Sequence, residues 1–171
     1  IDILHNHAGA QVEGNLEQVS LAGFDRSWSL NVRAHFLGAR LVMPHMRAAG
    51  RGVILNTSSS SGVLYDREMI AYTTSKHAVI AMTRQMAGDY ARFGIRVNAL
   101  CPGWVDTPFN GPFIAQMGGR EAIQTYIRDK VPLGRWGTVD EIAEAVLFLV
   151  SDRSSYVTGQ ILVADGGETV V

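Results

Sequence analysis

Val53-Ile54-Leu55-Asn56-Thr57-Ser58-Ser59-Ser60-Ser61-Gly62 is a short apolar run that breaks into a turn of small residues. Val53–Asn56 has the length of a buried strand. Working outward, three more runs read the same way: Ile1–His5, Ile95–Leu100 and Gln160–Ala164. The first gives way to Ala8-Gly9-Ala10, the second to Cys101-Pro102-Gly103, and the last runs into Asp165-Gly166-Gly167. Between them lie helical patterns. Short apolar strands alternating with helices predict an α/β fold, a parallel sheet with helices on both faces.

From Phe24 to about Ala49, the apolar residues Phe24, Trp28, Val32, Phe36 and Leu41 fall at helical spacing before Gly50. From Ala71 to Phe93, Ala78, Val79, Met82, Met86 and Tyr90 do the same, and Gly94 supplies a C-terminal stop. Thr138, with Glu141 three residues on, predicts a capped helix over Val139–Val150. The stretch between Thr107 and Pro132 reads as irregular, with one short helix at Glu121–Lys130. Without repeats, linkers or low-complexity segments, residues 1–171 are expected to form a single domain.

Hydrophobic residues make up 47% of the chain, charged residues 18%, and the net charge is −1. That balance offers no electrostatic footprint for nucleic acid or an anionic membrane. No apolar run reaches the roughly 18–20 residues of a membrane span, and Ile1-Asp2-Ile3-Leu4 lacks the pattern of a signal peptide. The single cysteine, Cys101, fits a buried strand end in a reducing compartment, so a cytoplasmic location is expected. His5 and His7 share a strand face, but no further ligand sits at metal spacing, so no metal site is expected.

Tyr72-Thr73-Thr74-Ser75-Lys76 places a phenol and an ammonium four apart, on one face of a helix. A phenol with a pKa near 10 is a poor base at neutral pH, and a nearby cation stabilises its phenolate. The spacing alone does not decide, because Tyr126 and Lys130 repeat it. Companions do. Ser59 lies thirteen positions before Tyr72, whereas Phe113, without a hydroxyl, lies thirteen before Tyr126.

Asn6-His7-Ala8-Gly9, Asn31, Ser59, Tyr72-xxx-Lys76 and Pro102-Gly103-xxx-Thr107 resemble, in order and spacing, the short-chain dehydrogenase/reductase family. Pro132-Leu133-Gly134-Arg135-Trp136-Gly137 and Thr158-Gly159 with Asp165-Gly166-Gly167 resemble its C-terminal signature. The resemblance implies a Rossmann-like doubly wound sheet, here its last four strands and their helices, and NAD or NADP as cofactor. It implies that Tyr72 transfers a proton, that Lys76 lowers the Tyr72 pKa and binds the nicotinamide ribose, and that Ser59 hydrogen-bonds the substrate oxygen. Asn31 would hold a water in a proton relay. Asn6, Ala8, Gly9, Pro102 and Gly103 would border the cofactor, with Val105 and Thr107 meeting its carboxamide. Where the family has Asn, this chain has His7, which can also donate and accept a hydrogen bond.

The family's Gly-rich phosphate turn is not in these residues, so the chain reads as a fragment lacking roughly 70–90 residues of three strands and their helices. In isolation it is expected to bind cofactor weakly, with Ile1–His5 as an exposed edge. The resemblance further implies a secondary alcohol or ketone as substrate, a lid over residues 108–131, and a homo-oligomer, with a tetramer favoured. Phe109, Phe113, Ile114 and Met117 would make the lid apolar. Trp28, Phe36, Met82 and Met86 could face core or partner. A 3-oxoacyl thioester reductase and a non-catalytic scaffold relative remain alternatives.

Overall fold

The computed structural model describes residues 1–170. Four parallel strands, β1 (Ile3–Asn6), β2 (Gly52–Thr57), β3 (Ile95–Pro102) and β4 (Ile161–Ala164), lie in the order β1-β2-β3-β4. His5 stands opposite Leu55, and Leu55 opposite Asn98. Because all strands run the same way, every strand-to-helix turn emerges at one end of the sheet. Among the described residues β1 pairs only with β2, and Ile1 and Ile3 are exposed.

Alternation along the strands sorts the side chains into two layers. Leu4, Ile54, Ile95 and Val97 pack on one face against Val42, Met43 and Met46 of α2 (Ala34–Ala49) and Met86 and Ala87 of α3 (Ile70–Tyr90). Met46 and Ile54 are fully buried, and such a side chain contributes about 1.5–3 kcal/mol on leaving water. On the other face Leu55, Leu100 and Leu162 meet Ile142 and Leu149 of α6 (Val139–Val150). Thr138 and Glu141 form the expected capping box at the start of α6. At its far end Arg96 of β3 donates to the carbonyls of Leu149 (3.1 Å) and Ser151 (3.0 Å), satisfying groups that a helix end leaves open. These two caps fix where α6 crosses the sheet.

Two expectations about the helices need correcting. The segment read as one helix from Phe24 is α1 (Leu21–Trp28), a π-helical turn over Ser29–Arg33, and then α2. Hydropathy cannot see the wider turn, because it changes the hydrogen-bond ladder and not the residue types. The stretch expected to hold one short helix holds two, α4 (Gly111–Gln116) and α5 (Arg120–Lys130), separated by Gly118 and Gly119. Ile123 and Ile127 of α5 form a third apolar cluster with Val131, and half-buried Ile114 and Met117 join it. Those two residues therefore pack into a local core against α5. Met86 belongs to the main core and Met82 packs against it, while Trp28 and Phe36 are largely exposed. Cys101 lies within β3, one residue before its end, and is buried. No described helix is long and apolar enough to cross a membrane, and no described cluster of ligating side chains could hold a metal.

Candidate active site

At the carboxyl ends of the strands lies a cavity of about 900 Å³, where open α/β sheets take their ligands. Ala8 and Gly9 after β1, Ser59 after β2, Pro102 at the end of β3, and Gly103, Val105 and Thr107 after it all line it. Tyr72 and Lys76 enter from the first turns of α3. Their helix is brought in by a tight turn. The Ser58 hydroxyl donates to the Lys76 carbonyl at 2.8 Å, and a Cβ at Gly62 would collide with the Ser58 oxygen. Only glycine lets the serine-rich turn lie this close to α3.

Tyr72 and Lys76 are both buried, at 4% and 2% exposure. The Lys76 ammonium lies 5.6 Å from the Tyr72 ring centroid and donates to the Thr57 carbonyl at 3.1 Å. Burial disfavours a charge on either group. It pushes the Tyr72 phenol up to about 12, although the neighbouring Ser59 hydroxyl draws it back. It pushes the Lys76 ammonium down to about 8. The phenol is thus above its ordinary value, contrary to the expected lowering, because desolvation, with the Asp66 carboxylate nearby, outweighs the Ser59 hydrogen bond.

Asn31 does not line the cavity. The π-helical turn directs its side chain into a buried junction, where Oδ1 accepts from the Ala10 amide (2.8 Å). Its Nδ2 donates to the Ala10 carbonyl (2.9 Å) and the Ser75 hydroxyl (2.9 Å). Both amide hydrogens have partners, so a water held by this side chain would have to meet the second lone pair of Oδ1. What the geometry shows is a brace. It locks the Ala8–Ala10 turn to the residue before Lys76, and a Cβ on Gly9 would come within 3.1 Å of Oδ1.

Asn6 departs from its expected place beside the cofactor. It is buried on the opposite face of β1, donating to Asn56 Oδ1 (2.9 Å) and the His35 carbonyl (3.3 Å). Alternation along the strand sends its side chain toward α2, away from the cavity. His7 instead takes the cavity face, 3.1 Å from the Thr57 hydroxyl through Nδ1, so it ties β1 to β2 as an asparagine could.

Phe109 and Phe113, expected as apolar residues of the lid, and several residues that the sequence did not mark complete the walls. Met69, Phe109 and Phe113 supply apolar surface, with the Phe109 ring 6.5 Å from that of Tyr72. Trp104 stacks on Phe113, and Gln11, Asp66 and Glu168 contribute oxygen atoms. No local pattern marks Met69, Gln11, Asp66 or Glu168, because distant segments bring them together. The C-terminal motifs prove structural. Gly137 donates to the Trp104 carbonyl at 2.8 Å, and the Thr158 hydroxyl accepts from the Val97 amide at 3.1 Å.

A nicotinamide nucleotide fits this donor set. The Lys76 ammonium can donate three hydrogen bonds and makes one within the described residues, so a buried cation has donors left for ribose hydroxyls.

A family model described as enoyl-(acyl carrier protein) reductase matches residues 1–169. The chain is 38% identical over 168 residues to 2-(S)-hydroxypropyl-CoM dehydrogenase 3 of Xanthobacter autotrophicus, covering 98% of this chain and 66% of that one. A gluconate 5-dehydrogenase from Burkholderia cenocepacia, solved with NADP and tartrate, superposes with a TM-score of 0.94 at 36% identity. It covers all of this chain and 66% of its own. A 4-hydroxyisoleucine dehydrogenase solved with NADH gives 0.88 at 32% identity, over 99% of this chain and 70% of that one. The chain thus spans about two thirds of the length of these relatives. Sequence, fold and site agree: the chain belongs to the short-chain dehydrogenase/reductase family of NAD(P)-dependent oxidoreductases.

Proposed function

We propose that the protein interconverts a small secondary alcohol and the corresponding ketone, with Tyr72 as the proton-transfer group. The observation that carries this reading is the convergence of Ser59, Tyr72 and Lys76 on one cavity at the carboxyl end of the sheet. Bound NAD or NADP supplies or accepts the hydride. Lys76 would hold its ribose, Ala8 and Gly9 would border it, and Val105 and Thr107 would meet the nicotinamide carboxamide.

The chain's own groups handle the substrate oxygen. The Tyr72 phenol donates a proton to it in reduction, or removes one in oxidation, while the Ser59 hydroxyl stabilises the charge developing there. With its pKa near 12, Tyr72 is protonated at neutral pH, so ketone reduction has its donor in place. Oxidation needs the phenolate, whose population grows with pH. Lys76 is charged below about pH 8 and favours that phenolate when the substrate excludes water. Asn31 acts on this machinery by bracing the Gly9 turn against α3.

Residues 108–131 would form the lid, with Phe109 and Phe113 facing the substrate. Exposed Phe36, Leu37 and Leu41 on α2 support a homo-oligomer, with a tetramer the favoured form. The intact set of Ser59, Tyr72 and Lys76 favours an enzyme over a scaffold relative. In the full-length protein, Tyr72→Phe should lower kcat for both directions by about 10²–10⁴-fold. Unchanged turnover would remove Tyr72 from the mechanism.

A further inference from the structure

Between the serine-rich turn and α3 the chain crosses an outward loop, and one charged side chain breaks its pattern. Tyr65, Arg67 and Glu68 are exposed, whereas Asp66 is half-buried and lines the cavity. The loop is pinned just beyond it: the Gly14 amide donates to the Glu68 carbonyl at 2.5 Å, and the Ile70 amide donates to the Gly14 carbonyl at 3.2 Å. The cavity lining is mainly apolar, and a carboxylate turned toward it loses solvation that a partner has to replace. That partner is Ser61, itself buried, whose hydroxyl donates to Asp66 Oδ2 at 2.5 Å, the length of a charge-assisted bond.

Ser61 in turn touches Ser59 twice. Its amide donates to Ser59 Oγ at 3.2 Å, and its hydroxyl oxygen accepts from the Ser59 hydroxyl at 3.3 Å. Proton counting sets the direction of this chain. An ionised carboxylate only accepts, so the Ser61 proton is committed to Asp66, and Ser61 Oγ offers Ser59 lone pairs alone. The Ser59 oxygen is thereby held by an amide, while its single proton rests on a long, weak bond. A substrate oxygen that gains negative charge can draw that proton across by rotation of the hydroxyl. Ser59 also lies beside the Tyr72 phenol and eases its ionisation, so the chain from Asp66 ends among the reacting groups.

We propose that Asp66 is a positioning residue for the reaction: by holding the Ser61 hydroxyl it fixes the Ser59 side chain in place for the substrate oxygen. The proposal rests on the secondary-alcohol reading, in which Ser59 meets that oxygen. Asp66 itself touches neither substrate nor cofactor in this role. Without its carboxylate the Ser61 hydroxyl is free to turn toward Ser59, and the two short side chains exchange among rotamers.

Steady-state kinetics of the full-length holoenzyme on 2-butanol, cyclohexanol, 1-phenylethanol and gluconate test it. On the compounds that the wild type oxidises, Asp66→Ala and Ser61→Ala should each lower kcat about ten- to a hundredfold, with KM for NAD(P) unchanged. Asp66→Asn and Ser61→Thr keep the acceptor and the hydroxyl, and should stay within about threefold of the wild type. The deciding comparison is made in Ser59→Ala, where no hydroxyl remains to be positioned: adding Asp66→Ala there should cost nothing more. A further loss equal to that in the wild-type background would mark a structural role and overturn the proposal, as would full activity in Asp66→Ala. Crystal structures of the wild type and Asp66→Ala read the same point without turnover, and Ser59 Oγ should leave the Ser61 amide in the variant. That displacement, with no turnover of any compound by the wild type, would keep the role of Asp66 and sink the dehydrogenase reading. An undisplaced Ser59 in an active enzyme would do the reverse.

Discussion

The chain carries the same five-residue pattern twice, and the two copies have different fates. Tyr72 and Lys76 sit at the start of α3, where a strand turn from the sheet packs against them and both side chains are buried. Tyr126 and Lys130 sit on α5 at the surface, with Lys130 exposed and the Tyr126 hydroxyl spent on Glu168. Burial and the two nearby acidic side chains push Tyr126 up to about 12 as well. A shifted phenol is therefore not by itself a catalytic one. What separates the pairs is the company each keeps: Ser59, a buried cation and the open end of a parallel sheet at one, and a carboxylate at the other.

The sharpest way to break this contrast is to remove each hydroxyl in turn. Tyr72→Phe should carry the 10²–10⁴-fold loss of a missing proton-transfer group, whereas Tyr126→Phe should change kcat by no more than about threefold. Comparable losses in both would mean that the two sites are functionally coupled. Replacing each lysine sharpens the contrast next. Burial has lowered the Lys76 pKa from 10.5 to about 8, so its charge is unfavourable in the folded state. Lys76→Met should inactivate the enzyme yet raise its stability at pH 7 by up to about 3 kcal/mol, less the lost bond to Thr57. The sign follows from the lowered pKa. The penalty is complete below about pH 8, fades as pH rises toward 10.5, and so the advantage of the variant should shrink across that window. Lys130→Met, on the exposed copy, should leave denaturant midpoints unchanged. A smaller effect tests the turn that holds the buried pair. Gly62→Ala should cost about 1–3 kcal/mol through its clash with Ser58, and should raise KM as α3 shifts.

Much of the architecture is legible from local signals. The strands Val53–Asn56 and Ile95–Leu100 lie inside β2 and β3, and Thr138 with Glu141 marks the start of α6 where the structure has it. Of the site, Ser59, Tyr72 and Lys76 are legible because their spacing is set by one strand turn and one helix. Asn6 was harder: its motif position is shared with the cavity residues, but a strand sends neighbouring side chains to opposite faces. Ile114 and Met117 read as lid surface until the second short helix turns them into a local core with Ile123. Glu168 left no trace at all, because its meaning depends on Trp104 and Tyr126, both more than forty residues away.

The π-helical turn over Ser29–Arg33 gives this chain one residue more than a uniform helix would need between Leu21 and Ala49. Removing any single residue there would restore an ordinary ladder, and with about 100° of rotation per residue it would swing everything upstream around the helix axis. Ser27 would leave Ser75 and the Ala71 carbonyl, while the hydrophobic face of α2 stayed seated. The segment is in effect a phase adjuster: two stretches of helix, each in register with a different neighbour, share one axis only because a single surplus residue reconciles them. A length change invisible to any measure of composition would thereby unhook the brace at Asn31 while leaving the main core intact.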